Sequence, residues 1–287
     1  FEYAWDQNPS WTPSHTKMVE ETWTGGTFTA TASGDWYFHL ATVDNAGNWT
    51  GTVHLGPFKI DLDPPGVPGN LSPADGTITN DTTPTLSWEA PTDLGGSGVK
   101  NYRYQVDNDP DFSSPLKNGY TSNTYYSPRL TDGTYYWRVR ARDNAGNNGA
   151  WTSGQQIIID TEPPQITCPG DITQGNDPGQ CSAAVTWTAP TATDNVGVED
   201  VRCDPPSGSS FPVGTTVVTC TATDFAGNTA ECSFTVTVVD NEPPTDPNIT
   251  SPSHTVGVWS NNPDVVIEVS GASDNCGVDG FEYAWDQ

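Results

Sequence analysis

The same seven residues begin and end this chain. Phe-Glu-Tyr-Ala-Trp-Asp-Gln occupies residues 1–7 and again residues 281–287, so the second copy starts 280 residues after the first. An identity of this length predicts a tandem array in which 280 residues form one period, because repeat architectures show self-similarity at a fixed spacing. On this interpretation, the first and last pieces of the chain are two parts of one domain.

The composition favours strands over helices. The chain has 25 Pro, 28 Gly and one Met, and its Thr, Val, Tyr and Trp residues are typical of β-structure. No run of a dozen residues has the apolar spacing of an amphipathic helix. No apolar stretch approaches the roughly 18–20 residues that a membrane span needs, so direct membrane insertion is not expected. The predicted fold class is therefore all-β, with a helix content near zero.

The charge excludes two classes of partner. With 36 acidic residues against 10 Lys and Arg, the net charge is −26. Nucleic acid and anionic membranes both attract cationic surfaces, so neither is expected to bind this chain. The acidity has two remaining interpretations, which are solubility in an extracellular medium and the binding of divalent cations.

Three similar junctions divide the chain. Each has an acid–x–acid–Pro-Pro pattern, and the first proline of the pair falls at positions 64, 163 and 243. A 280-residue period would return the pattern at 344, which gives modules of 99, 80 and 101 residues. Each length is close to that of a β-sandwich, which is about 100 residues.

Two further motifs recur in register with these junctions. The first is Asp-x-Ala-Gly-Asn at 44–48, 143–147 and 224–228, which predicts a tight loop between two strands. The second follows each junction by about 30 residues and contains Asp93, Asp194 or Asp274. Residues 34–64 match residues 133–163 at a constant offset of 99. The heptapeptide at 1–7 is therefore predicted to be a strand from the middle of a sandwich.

These alignments predict a linear array of β-sandwiches. Residues 65–162 and 163–242 are two complete modules. Residues 243–287 are the N-terminal part of a third, with strands A to C, and residues 1–64 are its C-terminal part, with strands C to G. In one version of this prediction, a single long polypeptide continues through the array. In the other, separate subunits polymerise by donating strands, although two copies of one strand favour continuity.

Two of the modules resemble known families. Residues 65–162 resemble a fibronectin type III domain, on Pro-Thr-Leu-Ser-Trp at 84–88 and Gly-Thr-Tyr-Tyr-Trp-Arg-Val-Arg-Ala at 133–141. Residues 163–241 resemble a hyalin repeat, on Ile-Thr-Cys-Pro at 166–169, Asp-Pro-Gly at 177–179, Pro-Thr-Ala-Thr-Asp-Asn at 190–195, Phe-Pro-Val-Gly-Thr-Thr at 211–216, Ala-Gly-Asn at 226–228 and Cys-Ser-Phe-Thr-Val-Thr-Val at 232–238. The split module resembles a bacterial immunoglobulin-like or fibronectin-like repeat. The resemblance implies a linear array of immunoglobulin-like sandwiches and an extracellular structural or adhesive role, with no chemistry.

The cysteines indicate disulfides and an oxidising, extracellular compartment. Of six Cys, five lie between 168 and 232, and none forms a Cys-x-x-Cys pattern. The hyalin resemblance favours a bond between Cys168 and Cys232, and Cys203 and Cys220 complete the predicted set. A rival pairing joins Cys220 to Cys232, which are symmetric about the predicted turn. Cys181 and Cys276 are either free or bonded between modules, so the connectivity stays open.

The sequence also predicts sites of modification and binding. Four sequons permit N-glycosylation, at Asn48, Asn70, Asn80 and Asn248. Among the 11 Trp, three lie at predicted core positions: Trp88, Trp137 and Trp187. Five others lie nearer to loops, where they could stack on surface glycans: Trp11, Trp23, Trp49, Trp151 and Trp259.

The acidic residues at the junctions predict calcium sites. In an immunoglobulin-like sandwich, the linker acids of one junction meet the loop acids of the following module. The predicted groups are Asp61, Asp63, Asp93 and Asp143, then Asp160, Glu162, Asp194 and Asp224, then Asp240, Glu242 and Asp274 with Asp44 of the next period. Such sets of oxygen ligands suit Ca²⁺. The same residues are also common in turns and stiff solvated linkers.

The predicted function is structural. The chain is interpreted as one period of a surface filament, adhesin stalk or matrix fibre, with copies of itself as partners end to end or laterally, and with surface glycans as further candidates. No catalytic residues are predicted. The alternative is a set of carbohydrate-binding or spacer modules in a secreted multidomain enzyme.

Overall fold

A computed structural model describes residues 1–19 and 22–284 of the 287-residue chain. The regular elements in this part of the chain are 21 β-strands, so the fold is all-β as predicted. Within the same residues, no helix has the length and apolar character of a membrane span. The chain divides into two compact units, residues 1–161 and 162–287.

The first unit begins with one antiparallel sheet. Its order is β1-β2-β3, formed by β1 (Glu2–Asp6), β2 (Gly34–Ala41) and β3 (Val53–Ile60). The heptapeptide at 1–7 therefore contributes a strand. Aromatic side chains line one face of this sheet, where the Trp5 ring lies 5.3 Å from that of Trp36 and 5.6 Å from that of Phe58. This sheet contains every strand in the described part of residues 1–64.

Residues 65–161 form a complete sandwich of two sheets. One sheet has the order β5-β11-β10-β7-β8 and the other the order β4-β6-β9. The strands are β4 (Gly69–Ser72), β5 (Thr77–Thr79), β6 (Leu86–Glu89), β7 (Val99–Asp107), β8 (Lys117–Thr121), β9 (Tyr125–Tyr126), β10 (Gly133–Asp143) and β11 (Gln155–Ile159).

Alternation along β10 explains why this sequence forms a half-buried strand. Its side chains at Tyr135, Trp137, Val139 and Ala141 are buried, and those between them are partly exposed. The buried set packs against Trp88 of the facing sheet in one apolar core. A period of two with aromatic and branched residues on the inner face is what a sandwich strand requires.

The second unit contains the hyalin-like module. Its main sheet has the order β13-β19-β18-β16, and two pairs, β12-β15 and β14-β17, complete it. The strands are β12 (Gln165–Thr167), β13 (Ile172–Gly175), β14 (Ser182–Ala184), β15 (Thr191–Thr193), β16 (Val198–Asp204), β17 (Ser210–Pro212), β18 (Gly214–Asp224) and β19 (Thr229–Val239). The core includes Phe211, Val218 and Phe234, with Trp187 packed against it.

The last described residues form only a small pair of strands. β20 (Asn248–Thr250) and β21 (Glu268–Ser270) pair antiparallel, with Ile249 opposite Val269. All residues of both strands are exposed, including Ile249 at 63% and Val269 at 43%. This pair therefore has no core of its own. The closing heptapeptide extends beyond the described residues, which end at 284.

Candidate functional site

The Asp-x-Ala-Gly-Asn motif forms a loop that fixes the direction of its carboxylate. In the loop after β10, Asp143 Oδ1 accepts hydrogen bonds from the backbone N–H groups of Gly146 (2.6 Å) and Asn147 (2.8 Å). Its Oδ2 accepts one from Asn147 Nδ2 at 2.8 Å. The Gly146 backbone has φ of 105°, a conformation that favours glycine.

The other two copies of the motif repeat this geometry. Asp44 accepts from the N–H and the side-chain amide of Asn48 at 2.8 and 2.9 Å. Asp224 accepts from the same two groups of Asn228 at 2.8 and 2.9 Å. The hydrogen bond from the Asn48 side chain keeps the pKa of Asp44 below its ordinary value. The motif therefore holds a carboxylate in the same hydrogen-bonded loop at the end of three sheets.

Three carboxylates meet at the first junction. One oxygen each of Asp61, Asp93 and Asp143 lies within 4.8 Å of the others. Asp143 is fully buried. Gly95 lies so close to the Asp61 carboxylate that a β-carbon at this position would collide with it, which explains one glycine of the loop at 93–98. The Asn147 side chain also donates to the Asp61 backbone carbonyl at 3.0 Å.

The electrostatics of this cluster favour a cation. Asp93 Oδ2 accepts from the Gly98 N–H at 2.6 Å, but its Oδ1 is buried and has no hydrogen-bond partner. The Ser97 side chain hydrogen-bonds to Asp61 and lowers its pKa. In the described part of the chain, no Lys or Arg forms an ion pair with any of the three acids. Like charges at about 4 Å repel by about 1 kcal/mol per exposed pair, and more when partly buried.

Asp63 lies outside the cluster, although the sequence groups it there. Its Oδ2 accepts a hydrogen bond from the Ser33 hydroxyl at 2.6 Å, and the three acids that meet do not include it. The chain turns at this point, because the Asp63 N–H donates to Asp61 Oδ1 at 3.1 Å, and the two carboxylates therefore have different surroundings.

At the third junction, only two of the predicted carboxylates meet. Asp240 and Asp274 lie within 4.8 Å of each other and of Cys276, which is in a disulfide and so does not serve as a thiolate ligand. Glu242 instead accepts from the Gly179 N–H at 3.0 and 3.1 Å. The third carboxylate predicted here is Asp44 of the next period.

The acids of the middle junction belong to both units, since the division falls between Thr161 and Glu162. Asp160, in the first unit, is fully buried, and its N–H donates to Thr79. In the second unit, Asp194 Oδ1 accepts from the N–H groups of Val196 and Gly197, both at 2.9 Å. The Glu162 carbonyl accepts from the Asn228 amide at 3.2 Å. Their grouping as one site stays a prediction.

The structure contains three disulfides, all in the second unit. They join Cys168 to Cys232, Cys203 to Cys220, and Cys181 to Cys276. The rival pairing of Cys220 with Cys232 is wrong: Cys220 lies opposite Cys232 on one side and Cys203 on the other, and it is bonded to Cys203. Beside the third bond, the Asn275 side chain donates to the Gln180 carbonyl at 2.7 Å. This bond therefore ties the loop before β14 to residues beyond the last Pro-Pro junction.

The four sequon asparagines, Asn48, Asn70, Asn80 and Asn248, are all exposed.

Of the predicted loop tryptophans, Trp259 is fully exposed, whereas Trp151 is half-buried beside arginines. These arginines are not among the predicted site residues. The alternation Arg-Val-Arg-Ala-Arg at 138–142 is the signal in the sequence, since it places three cations on one face of a strand.

Comparison with known proteins identifies two of the modules. Residues 159–238 match the HYR domain model, and residues 74–159 match the Rha78A-like N-terminal immunoglobulin domain. The predicted resemblance to hyalin repeats and immunoglobulin-like sandwiches is confirmed.

Several relatives share about a third to a half of the chain. The rat "Sushi, von Willebrand factor type A, EGF and pentraxin domain-containing protein 1" is 43% identical over 102 residues, covering 34% of this chain and 3% of the relative. Hyalin of Strongylocentrotus purpuratus is 39% identical over 142 residues, covering 47% and 12%. Human "Sushi repeat-containing protein SRPX2" is 35% identical over 101 residues, covering 34% and 22%. The chain thus spans a small part of each relative.

Among solved structures, the fibronectin(III)-like modules of Clostridium thermocellum CbhA align with a TM-score of 0.38 and 12% identity, covering 60% of this chain and 94% of that one. The HYR match and the three disulfides agree with the predicted compartment. The protein is extracellular or lies at the cell surface.

Proposed function

We propose that the chain is one 280-residue period of an extracellular filament, stalk or matrix fibre. In this proposal, residues 243–287 of one period fold with residues 1–64 of the next as one sandwich, and copies join end to end. The observation that carries it is an apolar sheet face in residues 1–64 that is left partly exposed, at Phe58 and Leu55.

A comparison with the complete module at residues 65–161 shows which part of this face is exposed. β1-β2-β3 has the register of β7-β10-β11, since Asp6 lies opposite Tyr37 as Asp107 lies opposite Tyr136. Phe58 therefore corresponds to Ile157, each lying opposite the third residue of the central strand. Ile157 is fully buried, but Phe58 is 39% exposed. Leu55, on the same strand as Phe58, is 60% exposed.

The other half of the sandwich has the complementary feature. β20 begins five residues after the first proline of its junction, as β4 does after its own. β20 pairs with β21 antiparallel, as β4 pairs with β6. In the complete module, the β4-β6-β9 sheet covers the core. Packing of β20 and β21 on the partly exposed face of the β1-β2-β3 sheet would stabilise the assembly by about 25 cal/mol for each Å² of apolar surface buried.

The acidic loops support the same assembly. Asp240 and Asp274 approach each other, as Asp61 and Asp93 do at the first junction. There, the third carboxylate comes from the Asp143 loop, and Asp44 has the same loop conformation. A following period would bring Asp44 to the pair at the third junction.

The assembly has a length that can be measured. Strands of 8–11 residues rise about 3.3 Å per residue, which makes each module roughly 30–40 Å long and each period roughly 100–120 Å. We expect electron microscopy of a chain with several consecutive periods to show thin filaments with this axial repeat. Compact particles, or a repeat well below this range, would contradict the proposal.

We also propose that Ca²⁺ binds the cluster of Asp61, Asp93 and Asp143. The support is the close approach of three carboxylates without a cationic side chain and the buried Oδ1 of Asp93. If dissociation constants are about 10⁻⁴–10⁻³ M, millimolar Ca²⁺ adds about 0.4–1.4 kcal/mol to stability. The ion would therefore stiffen the junction and would not be needed for folding.

Calcium binding can be tested by thermal unfolding and calorimetry. We expect 2 mM CaCl₂ to raise the melting temperature of the first unit, and Asp93→Asn to remove this increase. Asp109→Asn is the matched control, because Asp109 is exposed and lies outside the cluster. An equal response to Ca²⁺ in the Asp93→Asn variant, or no calcium response in the unmodified chain, would reject the site.

The proposed role is mechanical and non-catalytic. A general acid needs a raised pKa, whereas the pKa values of Asp44 and Asp61 are lowered by hydrogen bonds from Asn48 and Ser97. These acids lie on loops at module ends, where they suit the binding of cations better than the transfer of protons.

A further inference from the structure

Three arginines surround one tryptophan ring on the outer face of the fibronectin-like module, where Arg142 continues the same row of β10. Arg138 and Arg140 lie two residues apart on β10, so both project from its outer face about 7 Å from each other. Arg103 on β7 lies directly opposite Arg140. This arginine face, defined by Arg103, Arg138 and Arg140, is concentrated charge in a chain that has only 10 Lys and Arg.

Aromatic rings hold the three guanidinium groups in place. Arg138 and Arg140 both lie over the Trp151 ring, 4.7 Å from its centroid, and Arg103 lies 5.9 Å from it. Arg138 also lies 4.1 Å from the Phe112 ring. Stacking of this kind orders the side chains at low cost, since each planar group keeps its edge free to donate hydrogen bonds.

The positive charges of this face are not neutralised within the described part of the chain. No carboxylate there forms an ion pair with any of the three arginines. Their side-chain partners are neutral: Arg138 Nε donates to Gln105 at 2.8 Å, and Arg103 Nε donates to Asn118 at 3.0 Å. Burial lowers the pKa of Arg138, and repulsion from Arg140 and Arg103 lowers it further. Although the sequence contains 36 acids, these three arginines have no anionic partner among residues 1–19 and 22–284.

We propose that the arginine face binds an acidic polysaccharide through its carboxylate or sulfate groups. Guanidinium forks bind such planar or tetrahedral anions with two parallel hydrogen bonds. The face spans only two neighbouring strands, β7 and β10, and such a narrow strip suits the repeated anions of a linear polymer, whereas a specific protein interface needs about 800 Å² per partner. Tyr120, which is 52% exposed, lies beside Arg103 and offers a ring for a sugar. This inference does not depend on the proposed fibre.

The test uses the full chain and immobilised polysaccharides. The probes are heparin as the sulfated polymer, polygalacturonate as the carboxylated polymer and dextran as the neutral control, at 50 mM NaCl. We expect binding to at least one acidic polymer, none to dextran, and steep weakening with salt. Arg138→Gln with Arg140→Gln should reduce affinity by about tenfold or more, because two charge-assisted contacts are lost.

Two further variants separate binding from folding. Arg129→Gln with Arg202→Gln removes the same charge from two exposed positions outside the face and should leave affinity within about twofold. Arg138→Lys with Arg140→Lys keeps the stems and the charge but loses the forks, so its affinity should be intermediate and its melting temperature near that of the unmodified chain.

Four results would overturn the inference. The first two are no binding to either acidic polymer, and an equal loss of affinity in the Arg129/Arg202 control. The third is that single-stranded DNA binds as tightly as the polysaccharides. The fourth is that Arg138→Gln with Arg140→Gln changes self-association, measured by sedimentation, and leaves polysaccharide binding unchanged. The last result would mean that the face contacts a second copy.

Discussion

Placing residues 245–280 directly ahead of residues 1–244 should make Phe58 a core residue. In that chain order, Phe58→Ala should lower the free energy of unfolding by about 3–5 kcal/mol, as for other buried Phe. In the present order, the same substitution should cost less than about 1 kcal/mol, because Phe58 is 39% exposed. The measurement is urea unfolding followed by tryptophan fluorescence.

The complete module provides the reference for this experiment. Ile157 is fully buried at the corresponding position, so Ile157→Ala should cost about 2–5 kcal/mol in both chain orders. The rearranged chain should also lose the binding of a hydrophobic dye and gain one cooperative transition. If Phe58→Ala costs the same small amount in both orders, residues 245–280 do not cover this face.

Removing the disulfide between Cys168 and Cys232 should have the second large effect. This bond closes a loop with a sequence separation of 64 residues, for which loss of chain entropy in the unfolded state predicts about 4 kcal/mol. Replacing both cysteines with Ser should therefore lower the unfolding free energy of the hyalin-like module by about this amount, measured by denaturant titration.

Replacing Cys181 and Cys276 with Ser is the matched control. Their sequence separation is larger, at 95 residues, but Cys276 lies among residues whose strands, β20 and β21, are exposed throughout. Because these residues have little packing to lose, the cost in the present chain should stay below about 1 kcal/mol. Equal costs for the two pairs would show that loop length alone decides the stabilisation.

The strands and loops were the most predictable features. Alternation in β10 and the Asp-x-Ala-Gly-Asn motif depend on neighbouring residues in the chain, so their local conformations follow from the sequence. The calcium groups were less predictable, because the carboxylates of Asp63 and Glu242 bind groups from distant loops, the Ser33 hydroxyl and the Gly179 N–H.

Disulfide connectivity could not be predicted from the hairpin alone. Cys220 lies on a central strand, so it has a cysteine opposite it on each side, Cys203 and Cys232. Symmetry about the turn identifies Cys232 as one neighbour of Cys220 but does not identify Cys203, which comes from a different strand. The arginine face was not predicted either, because Trp151 is distant from Arg138 and Arg140 in the sequence and contacts them only in the folded module.

The bond between Cys181 and Cys276 has a mechanical consequence for the proposed fibre. When the fibre is pulled along its axis, tension that arrives at Cys276 passes directly to Cys181 and bypasses the final strand of the hyalin-like module, β19. The residues between the two cysteines are shielded from load. Reduction of that single bond would pass the load through the bond between Cys168 and Cys232 to residues 233–276, which would extend to roughly 150 Å, and would turn a stiff segment into an extensible one.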